Sequence, residues 1–586
     1  MNKITYSISD FINTSKSKWL NLLKSHVTEV MSDIPGDSQV RAWDDCYNVL
    51  QNEFRKMDFH DKTYFIFEYP LHRERGRRPD VLLLTGETLY VLEFKQHNLP
   101  DQAQVDQAYA YARDLAHYHL ATHMLTVEVL LILTGATNYE RKSENVLILS
   151  SDKLSTFFSS KLNQPFCQNS TDWCKSSYEP LPSILTAEKL FFESEKLPQI
   201  KRALSAEIPT TLAAIHNIID NKNQVSTHNL ILITGVPGAG KTLVGLNYVH
   251  SEKNKKASFL SGNGPLVNVL QATLKGKSLV QGLLGFKKTY SDLSQKPRED
   301  VIVFDEAQRA WGHKRMRGNF SEPEVLIRIA ETKENFTIIA LIGEGQEIHV
   351  GEEDGLVLWE KAVNTIATKN WNIYGPEKLA PVFSKNYHVT DNLDLTVSLR
   401  THTAENLQFF VNSIFLNNLK SAKSALVSLY KEGYQLYLTR DLEQAKSYVQ
   451  RRYHNEEDKS FGLISSSKGE YLKRKNNLRK GFSNEVNYFV KQSCKDLQEC
   501  ATEFACQGLE LDFPIVCWDD DLIHNQQWYF NDPKSQAENP LQLRLNTYRV
   551  LLTRGRDGMF IYIPNHQHFN STYDLFLELG VKTRNS

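Results

Sequence analysis

The stretch LILITGVPGAGKT, at residues 230–242, decides how the middle of this chain folds. Its first five residues are apolar or β-branched, which favours a buried strand, and a glycine-rich turn follows at once. Lys241 and Thr242 close the turn and open a segment with helical spacing. A strand, a glycine-rich turn and a helix in this order are typical of a parallel α/β sheet.

The turn also fits the spacing GxxxxGK[ST], from Gly235 through Gly240 to Lys241 and Thr242. Glycines in this turn, Gly238 among them, let backbone N–H groups surround phosphate oxygens. The lysine neutralises phosphate charge, and the threonine hydroxyl is a Mg²⁺ ligand at a helix N-terminus. The sequence therefore predicts a P-loop that binds the phosphates of a nucleoside triphosphate together with Mg²⁺, as in an ATPase or a GTPase.

A second strand carries the acids that such a site needs. The run VIVFDEAQ, at residues 301–308, is an apolar strand that ends in Asp305 and Glu306. We expect Asp305 to hold Mg²⁺ and Glu306 to polarise the attacking water. Strand runs alternate with longer helical segments from about residue 205, and a second such set begins near residue 395. The pattern predicts two parallel α/β lobes.

Further motifs follow in order. SFLSGNGPL, which contains Asn263, resembles helicase motif Ia, and IALIGEGQ, which ends in Gln346, resembles motif III. SLR, ending in Arg400, lies where motif IV is expected. QGLE, ending in Glu510, resembles motif V, and YRVLLTRGR, which contains Arg554, resembles motif VI. With the P-loop and DEAQ, these motifs resemble the Schlafen group 3 type of DNA/RNA helicase-like ATPase domain of superfamily 1, over about residues 205–586.

The resemblance implies a role for each matching residue. Gln346 would sense the γ-phosphate, and Glu510 would contact the nucleotide ribose. Arg400 and Arg554 would act as arginine fingers from the second lobe, stabilising charge on the transferred phosphoryl group. Asn263 would contact nucleic acid. The fold implied for this part of the chain is a pair of RecA-like lobes.

The N-terminal region has a second motif that carries chemistry. Arg78-Pro-Asp80 and the later Glu93-Phe-Lys95 fit the PD-(D/E)xK nuclease pattern. Asp80 begins one predicted strand, and Glu93 and Lys95 lie on one face near the end of its hairpin neighbour, because side chains alternate along a strand. Two carboxylates bind Mg²⁺, and the lysine orients or deprotonates water for attack on a phosphodiester.

Two neighbouring helices contribute further candidates. Glu53 is our expected third metal-binding acid, with Asp44 and Glu68 as alternatives. Gln107 and Tyr111, in the helix predicted at residues 101–119, resemble the QxxxY element of RecB-type nucleases, where it contacts substrate. The order helix, hairpin, helix, strand predicts a restriction-endonuclease-like α/β domain.

Basic residues indicate where nucleic acid would bind. Residues 468–480 (KGEYLKRKNNLRK) include Tyr471, Lys473 and Arg474, a combination of stacking and phosphate-binding side chains. Residues 72–78 (HRERGRR) precede Asp80 directly. The partner is predicted to be nucleic acid, with DNA favoured over RNA by analogy with the family.

Composition sets outer limits on function. The net charge is −1, so steering of nucleic acid must come from local basic surface. Seven cysteines at irregular spacing do not form a disulfide framework. The N-terminus has no apolar signal segment, and no run of about 18 apolar residues is present. We therefore expect a soluble cytoplasmic protein with no membrane partner.

The predicted domains are a nuclease-like domain at residues 1–160, a connector at 161–204, a first lobe at 205–390 and a second lobe at 391–586. The predicted function is an ATP-dependent helicase or translocase coupled to a Mg²⁺-dependent nuclease, in DNA processing or antiphage defence. Two alternatives stay open: a nucleotide-gated nuclease that does not translocate, and a nucleic-acid sensor ATPase that does not cut. A homo-oligomer or a partner defence protein also stays open.

Overall fold

The structure is a computed structural model. It describes residues 4–31, 35–71, 74, 77–180, 208–220, 228–235, 239–251, 256–274, 279–309, 320–343, 355–383, 385–396, 404–454, 456–475, 477–480, 484–530 and 539–584. The chain divides into two compact units. The first is Met1–Pro180 with Lys446–Lys459, and the second is Leu181–Ala445 with Ser460–Ser586.

The first unit has a seven-stranded mixed sheet and the helices that cover it. Its elements are β1 (Thr5–Ser7), α1 (Ile8–Asn13), α2 (Lys16–Met31), α3 (Asp37–Phe54), β2 (Tyr64–Phe67), β3 (Val81–Thr85), β4 (Thr88–Lys95), α4 (Gln102–Tyr118), β5 (Thr126–Leu133), β6 (Glu140–Ser143), β7 (Val146–Ser150), α5 (Leu154–Phe158) and α6 (Ser170–Lys175). The strand order is β1-β2-β3-β4-β5-β7-β6. Strand β4 pairs antiparallel with β3 and parallel with β5.

The predicted hairpin is confirmed as β3 and β4, which pair in register from Val81 with Leu92 to Thr85 with Thr88. Gly86 in the turn has φ +51°, a conformation that glycine adopts without strain. Apolar side chains of the sheet are buried against α3 and α4. Phe166 and Trp173, from the stretch predicted as a connector, lie in the same core.

The second unit contains two parallel sheets. The first sheet and its helices are α7 (Ile208–Ile219), β8 (His228–Gly235), α8 (Lys241–Ser251), β9 (Ala257–Ser261), α9 (Gly264–Thr273), β10 (Val280–Gly282), α10 (Leu283–Tyr290), β11 (Val301–Asp305), α11 (Glu322–Ala330), β12 (Phe336–Leu341), α12 (Val357–Thr365), β13 (Trp371–Gly375), β14 (Tyr387–Val389) and β15 (Asp394–Leu395). The order is β10-β9-β11-β12-β8-β13-β14, with β15 paired to β8. The central strands are fully buried, as continuous apolar runs require.

The second parallel sheet follows along the chain. Its elements are α13 (Ala404–Phe415), α14 (Leu419–Lys431), β16 (Gln435–Thr439), α15 (Leu442–Arg452), β17 (Phe461–Ser465), α16 (Tyr471–Lys475), β18 (Arg479–Lys480), β19 (Glu499–Thr502), α17 (Glu503–Cys506), β20 (Phe513–Cys517), the hairpin β21 (Leu522–Asn525) and β22 (Gln527–Phe530), α18 (Pro540–Leu552), β23 (Gly558–Tyr562), α19 (Asn570–Leu579) and β24 (Lys582–Thr583). The order is β18-β19-β17-β20-β23-β16-β24.

The predicted α/β fold class is confirmed, since both sheets of the second unit are parallel and carry crossover helices, as RecA-like lobes do. The predicted domain boundaries at residues 160, 204 and 390 remain predictions. Among the described residues, no helix combines the length and the apolar character needed to cross a membrane.

Candidate functional site

The first candidate site lies at the carboxyl edge of the sheet β8–β15. Strand β8 ends at Gly235, helix α8 begins at Lys241, and β11 ends at Asp305. Carboxyl ends of parallel strands meet at one edge of a sheet, where ligands bind in α/β folds. The predicted strand before Gly235 and the predicted helix from Lys241 are therefore in place, while residues 236–238 of the predicted turn, Gly238 among them, lie outside the described residues.

Lys241 and Thr242 face this edge from the first turn of α8. Lys241 Nζ donates to the Gly235 carbonyl oxygen at 2.6 Å. Thr242 Oγ1 lies 3.5 Å from Asp305 Oδ1. Gly240, just before the helix, has φ +88°, which a residue with a side chain rarely adopts. The arrangement leaves a lysine, a hydroxyl and a carboxylate around one helix N-terminus, which suits a phosphate with its metal ion.

Gly235 is required by its neighbours. Strand β15 pairs with the end of β8, and a Cβ built on Gly235 would lie 2.7 Å from the Leu395 carbonyl oxygen. Thr234 Oγ1 donates to Asp394 Oδ1 at 2.6 Å, which fixes the same contact from the previous residue. Any larger residue at position 235 would push the ends of β8 and β15 apart.

Glu306 is held in an unusual backbone conformation. Its φ is +53°, which is uncommon for a residue with a Cβ and places the carboxylate beside the Gln308 amide. Gln308 also accepts from the Gly343 N–H at 2.8 Å, so it connects the end of β11 with the end of β12. The sequence motif contains Gln308, but sequence reasoning gave it no role. Gly343 lies against this group, since an added Cβ would be 3.3 Å from Glu306 Oε2.

Burial and the neighbouring Glu306 carboxylate raise the pKa of Asp305 to about 7, while Lys241 acts in the opposite direction. Asp305 and Glu306 are adjacent acids at a buried strand end, and the single charge of Lys241 does not neutralise two carboxylates. A divalent cation is the ligand that would restore it. The residue types and their spacing therefore fit a magnesium ion carried with a nucleotide.

The second sheet reaches the same edge through the QGLE loop. Asn263 Nδ2 donates to the Gln507 carbonyl oxygen at 2.9 Å, and Asn263 Oδ1 also caps α9. A Cβ added to Gly508 would be 3.3 Å from Leu266 Cδ2, so the two loops are in close contact. The structure thus brings the predicted motif Ia and motif V residues together within the second unit. In this structure Asn263 binds protein backbone.

Arg554 is buried inside the second lobe, with an exposed fraction of 2%. Its guanidinium donates to the carbonyl oxygens of Val550, Cys506 and Leu509, at 2.9, 3.5 and 3.4 Å. A finger role would require Arg554 to leave these acceptors. Its role as an arginine finger stays a prediction.

Glu510 and Arg556 lie together on the second lobe, with Arg556 Nε 3.7 Å from Glu510 Oε2. They line a small groove with Gln408 and Thr553. The two remaining motif residues, Gln346 and Arg400, lie outside the described residues.

The second candidate site lies in the first unit, where β3 begins and β4 ends. The Asp80 backbone N–H donates to Glu93 Oε1 at 3.0 Å, and the Phe94 N–H donates to Asp80 Oδ2 at 2.8 Å. Lys95 Nζ lies 3.3 Å from Glu93 Oε2. The hairpin therefore brings Asp80, Glu93 and Lys95 together, as the spacing predicts.

The electrostatics of this cluster resemble those of an acid pair without its cation. Burial and the Asp80 carboxylate raise the pKa of Glu93 to about 8, against the effect of Lys95. Burial lowers the pKa of Lys95, but Glu93 and Asp80 outweigh it and leave that pKa raised. Lys95 is therefore a cation beside acids, and these residue types fit a Mg²⁺ ion.

Glu68 lies next to Asp80, and the structure does not bring Glu53 there, although among the described residues no group of three or more acidic, histidine or cysteine side chains is placed to hold a metal ion. Glu53 pairs with Lys56 and accepts from Ser155 Oγ at 2.8 Å. Trp43 is the residue of α3 whose indole contacts Glu68. Glu53 lies ten residues further along this helix, which at ~1.5 Å per residue is roughly 15 Å. The exposed Asp44 side chain pairs with a lysine away from the cluster.

Glu68 reaches the cluster because the chain bends sharply after β2. Its φ is +49°, and its N–H donates to the Asp80 carbonyl oxygen at 3.1 Å. Its carboxylate accepts from Trp43 Nε1 at 2.8 Å and pairs with Arg78. Burial raises the pKa of Glu68, and Asp80 adds to that rise. Sequence reasoning ranked this acid below Glu53 because a bend with positive φ is hard to foresee at a glutamate.

Gln107 and Tyr111 lie one turn apart on α4, with Gln107 Nε2 3.5 Å from Tyr111 Oη. The Arg77 guanidinium lies over the Tyr111 ring at 5.2 Å from its centroid. Burial raises the pKa of Tyr111, and the nearby acids Glu456 and Glu93 add to this. The predicted substrate residues therefore lie next to the carboxylate cluster.

The basic segment at residues 468–480 begins with a short helix anchored by acids. The N–H groups of Tyr471 and Leu472 donate to Asp519 Oδ1 at 3.0 and 3.3 Å. Lys473 and Arg474 are exposed. The ring of Tyr471 packs 5.0 Å from that of Phe569, so it is partly engaged within the lobe.

Solved structures resemble this chain only distantly. They include the Hef helicase domain of Pyrococcus furiosus (11% identity, 61% of this chain and 97% of that chain, TM-score 0.22) and the Pif1 helicase of Candida albicans (10%, 64% and 98%, 0.29). S. cerevisiae Dbp5 bound to RNA and ADP BeF3 gives 11%, 64% and 93%, with a TM-score of 0.27. Similarity at this level assigns neither fold nor function. A search among curated proteins finds no match.

The sequence itself matches a family model. The Schlafen group 3, DNA/RNA helicase domain model aligns with residues 228–565, which begin at β8 and end just after β23. This range includes the P-loop, DEAQ, QGLE and TRG motifs. Because the match covers more than half of the sequence, the chain belongs to the Schlafen group 3 DNA/RNA helicase domain family.

Proposed function

We propose that the chain is an ATP-dependent nucleic-acid helicase or translocase coupled to a Mg²⁺-dependent nuclease. Membership in a helicase-domain family supports ATPase activity and nucleic-acid binding. The observation that carries the ATPase assignment is the group formed by Lys241, Thr242, Asp305 and Glu306 at one sheet edge. The nuclease assignment rests on the cluster of Asp80, Glu93 and Lys95 and their neighbours.

In the ATPase, Lys241 exchanges its bond to the Gly235 oxygen for the β- and γ-phosphates. Thr242 and Asp305 are the residues that would hold a magnesium ion, which when bound would supply positive charge beside the phosphates. Glu306 orients the attacking water, and its contact with Gln308 fixes the carboxylate. The proposal also gives Gln346 and Arg400 their family roles as γ-phosphate sensor and finger.

In the nuclease, Asp80, Glu93 and Glu68 would hold Mg²⁺, and the ion would polarise the scissile phosphate. Lys95 lies at the edge of the same cluster and would orient the attacking water or accept its proton. Gln107 would hold the substrate next to these acids.

The proposed partner is DNA, and the proposed setting is DNA processing or antiphage defence in the cytoplasm. Lys473 and Arg474 offer exposed positive charge for a phosphate backbone. Binding at such a surface is expected to weaken steeply with salt, because neutralising phosphates releases counterions. In this setting the chain would act as a homo-oligomer or together with a partner defence protein.

A nucleotide-gated nuclease is the second candidate. It is favoured by one observation: the Lys446–Lys459 segment, which lies in sequence between two strands of the second parallel sheet, clusters with the first unit. A gate predicts cutting that responds to ATP without strand separation. A motor predicts both ATP-responsive cutting and strand separation.

The test incubates purified protein with labelled single-stranded, duplex and forked DNA and RNA, with Mg²⁺, with and without ATP. Wild type is compared with Lys241→Ala and Glu93→Gln. The proposal expects ATP-driven strand separation that Lys241→Ala abolishes, and cutting that Glu93→Gln abolishes.

Other outcomes decide between the candidates. ATP turnover that does not depend on strand length, together with ATP-dependent cutting, would favour the gate. If wild type does not cut, and the Glu93→Gln variant has the same biological effect in cells as wild type, a sensor that does not cut is favoured.

A further inference from the structure

The first unit contains a piece of chain that the motifs do not explain. The Lys446–Lys459 segment follows β16, includes the second half of α15, and leads into β17. It clusters with Met1–Pro180, which makes the first unit discontinuous in sequence. Both ends of the segment are therefore tied covalently to the sheet that carries Glu510.

Polar contacts fix this segment along α4. Arg451 pairs with Asp101, the N-cap residue of that helix, and the Tyr448 hydroxyl donates to Asp106. One residue further, Gln107 Nε2 donates to Glu456 Oε1 at 3.2 Å. The segment thus contacts both the N-cap of α4 and Gln107, a side chain predicted to contact the substrate.

Glu456 is the central contact. Its Oε2 lies 3.0 Å from Arg77 Nε, and both residues are 3% exposed. Arg77 also pairs with Glu74 and Asp114, and Asp114 pairs with Arg113. Arg77 therefore contacts three carboxylates, and the one from Glu456 comes from the segment.

The donors that Glu456 engages are those a nucleic-acid phosphate would use. A carboxylate and a phosphodiester present the same kind of anionic oxygen to guanidinium and amide N–H groups. Arg77 lies over the Tyr111 ring, and Gln107 contacts the hydroxyl of the same residue. A phosphate bound here would sit beside the carboxylate cluster of Asp80 and Glu93.

We propose that the Lys446–Lys459 segment is a latch, in which Glu456 occupies the place of a backbone phosphate at the Arg77 and Gln107 donors. The proposal rests on the proposed nuclease function. While the latch is closed, the Glu456 carboxylate pairs with Arg77, accepts from Gln107 and repels nucleic acid from α4. When Glu456 leaves this place, the Arg77 and Gln107 donors become available to the strand to be cut.

The test measures binding, so that it does not depend on cutting. Full-length protein with Glu93→Gln, in EDTA and without ATP, is titrated with labelled single-stranded DNA. Adding Glu456→Gln is expected to tighten binding about fivefold, because apparent affinity follows the fraction of molecules that are open. Glu457→Gln is the matched control: it removes the same charge one residue along at an exposed position, and should change binding less than about twofold.

A second variant checks the latch at a distance from the donors. Tyr448→Phe removes the bond to Asp106 and leaves Arg77, Gln107 and Glu456 unchanged. It should tighten binding in the same direction by about twofold, because it loosens the closed state. Equal or weaker binding in both variants, with a lowered melting temperature, would overturn the latch and make Glu456 a structural tie. If wild type does not cut DNA but both variants bind it more tightly, the nuclease proposal fails and the latch at the anion site stands.

Discussion

The two candidate sites use the same three kinds of residue in different ways. At the P-loop edge a buried aspartate, a glutamate and a lysine meet, namely Asp305, Glu306 and Lys241. In the first unit Asp80 and Glu93 meet Lys95. Each site contains an acid whose pKa is raised by burial and by its acidic neighbour.

The lysines separate the two chemistries. Lys241 Nζ donates to the Gly235 backbone carbonyl oxygen, and its charge also opposes the rise in the pKa of Asp305. Lys95 Nζ instead lies 3.3 Å from Glu93 Oε2, a carboxylate oxygen. We therefore expect the position of the lysine, rather than the presence of two acids, to distinguish the proposed phosphate-binding site from the proposed nuclease site.

The largest expected effect is on ATP turnover. Lys241→Ala should lower it roughly 1,000-fold, because the β/γ charge loses its fixed counterion. Steady-state phosphate release in the presence of DNA measures this, and Lys288→Ala, at an exposed position of α10, is the control. Turnover within about tenfold of wild type would remove the distinction between the two lysines.

The second prediction concerns Lys95→Ala, which changes the lysine of the proposed nuclease site. It should lower Mg²⁺-dependent cutting about 100-fold, since proton transfer at water contributes on the order of 10² to 10⁴. ATP turnover should stay unchanged. A loss of ATP turnover without a loss of cutting would reverse the proposed roles of the lysines.

The choice of third acid gives a smaller effect. Glu68→Gln should lower cutting about tenfold, because an acid of the metal cluster loses its charge. Glu53→Gln makes the same chemical change on α3 and should leave cutting within about twofold. Cutting at saturating Mg²⁺ by the two purified variants decides this, and the opposite ranking would restore the sequence-based choice.

The smallest effect concerns stability and pH. The pKa of Glu93 is about 8 in the folded protein, against an ordinary value of 4.5. A raised acid pKa means that the folded state holds its proton more tightly, so metal-free stability falls as pH rises from about 4.5 to about 8. Melting temperatures in EDTA should therefore drop more between pH 5 and pH 8 for wild type than for Glu93→Gln. Equal drops would argue against a strained Glu93, and added Mg²⁺ should narrow the difference.

How much of each site the sequence predicts depends on how local its geometry is. The P-loop is a continuous stretch, so the spacing of Gly235, Gly240 and Lys241 suffices to predict strand, turn and helix. The β3–β4 hairpin is also local, and alternation places Glu93 and Lys95 correctly.

Contacts between distant segments escape such reasoning. Glu68 comes next to Asp80 through a bend with positive φ, and Gln308 contacts Gly343, just after another strand. Arg554 fits its motif, yet its hydrogen bonds to Val550 and its neighbours come from packing that the motif does not encode. The assignment of the Lys446–Lys459 segment to the first unit likewise depends on tertiary contacts alone.

The most direct test of the central claim follows the separation and the cutting of one labelled forked DNA by wild type, Lys241→Ala and Glu93→Gln, with Mg²⁺ and ATP. We predict that wild type separates and cuts the strands, that Glu93→Gln separates without cutting, and that Lys241→Ala does not separate them. ATP-dependent strand separation that survives in Lys241→Ala would contradict the account.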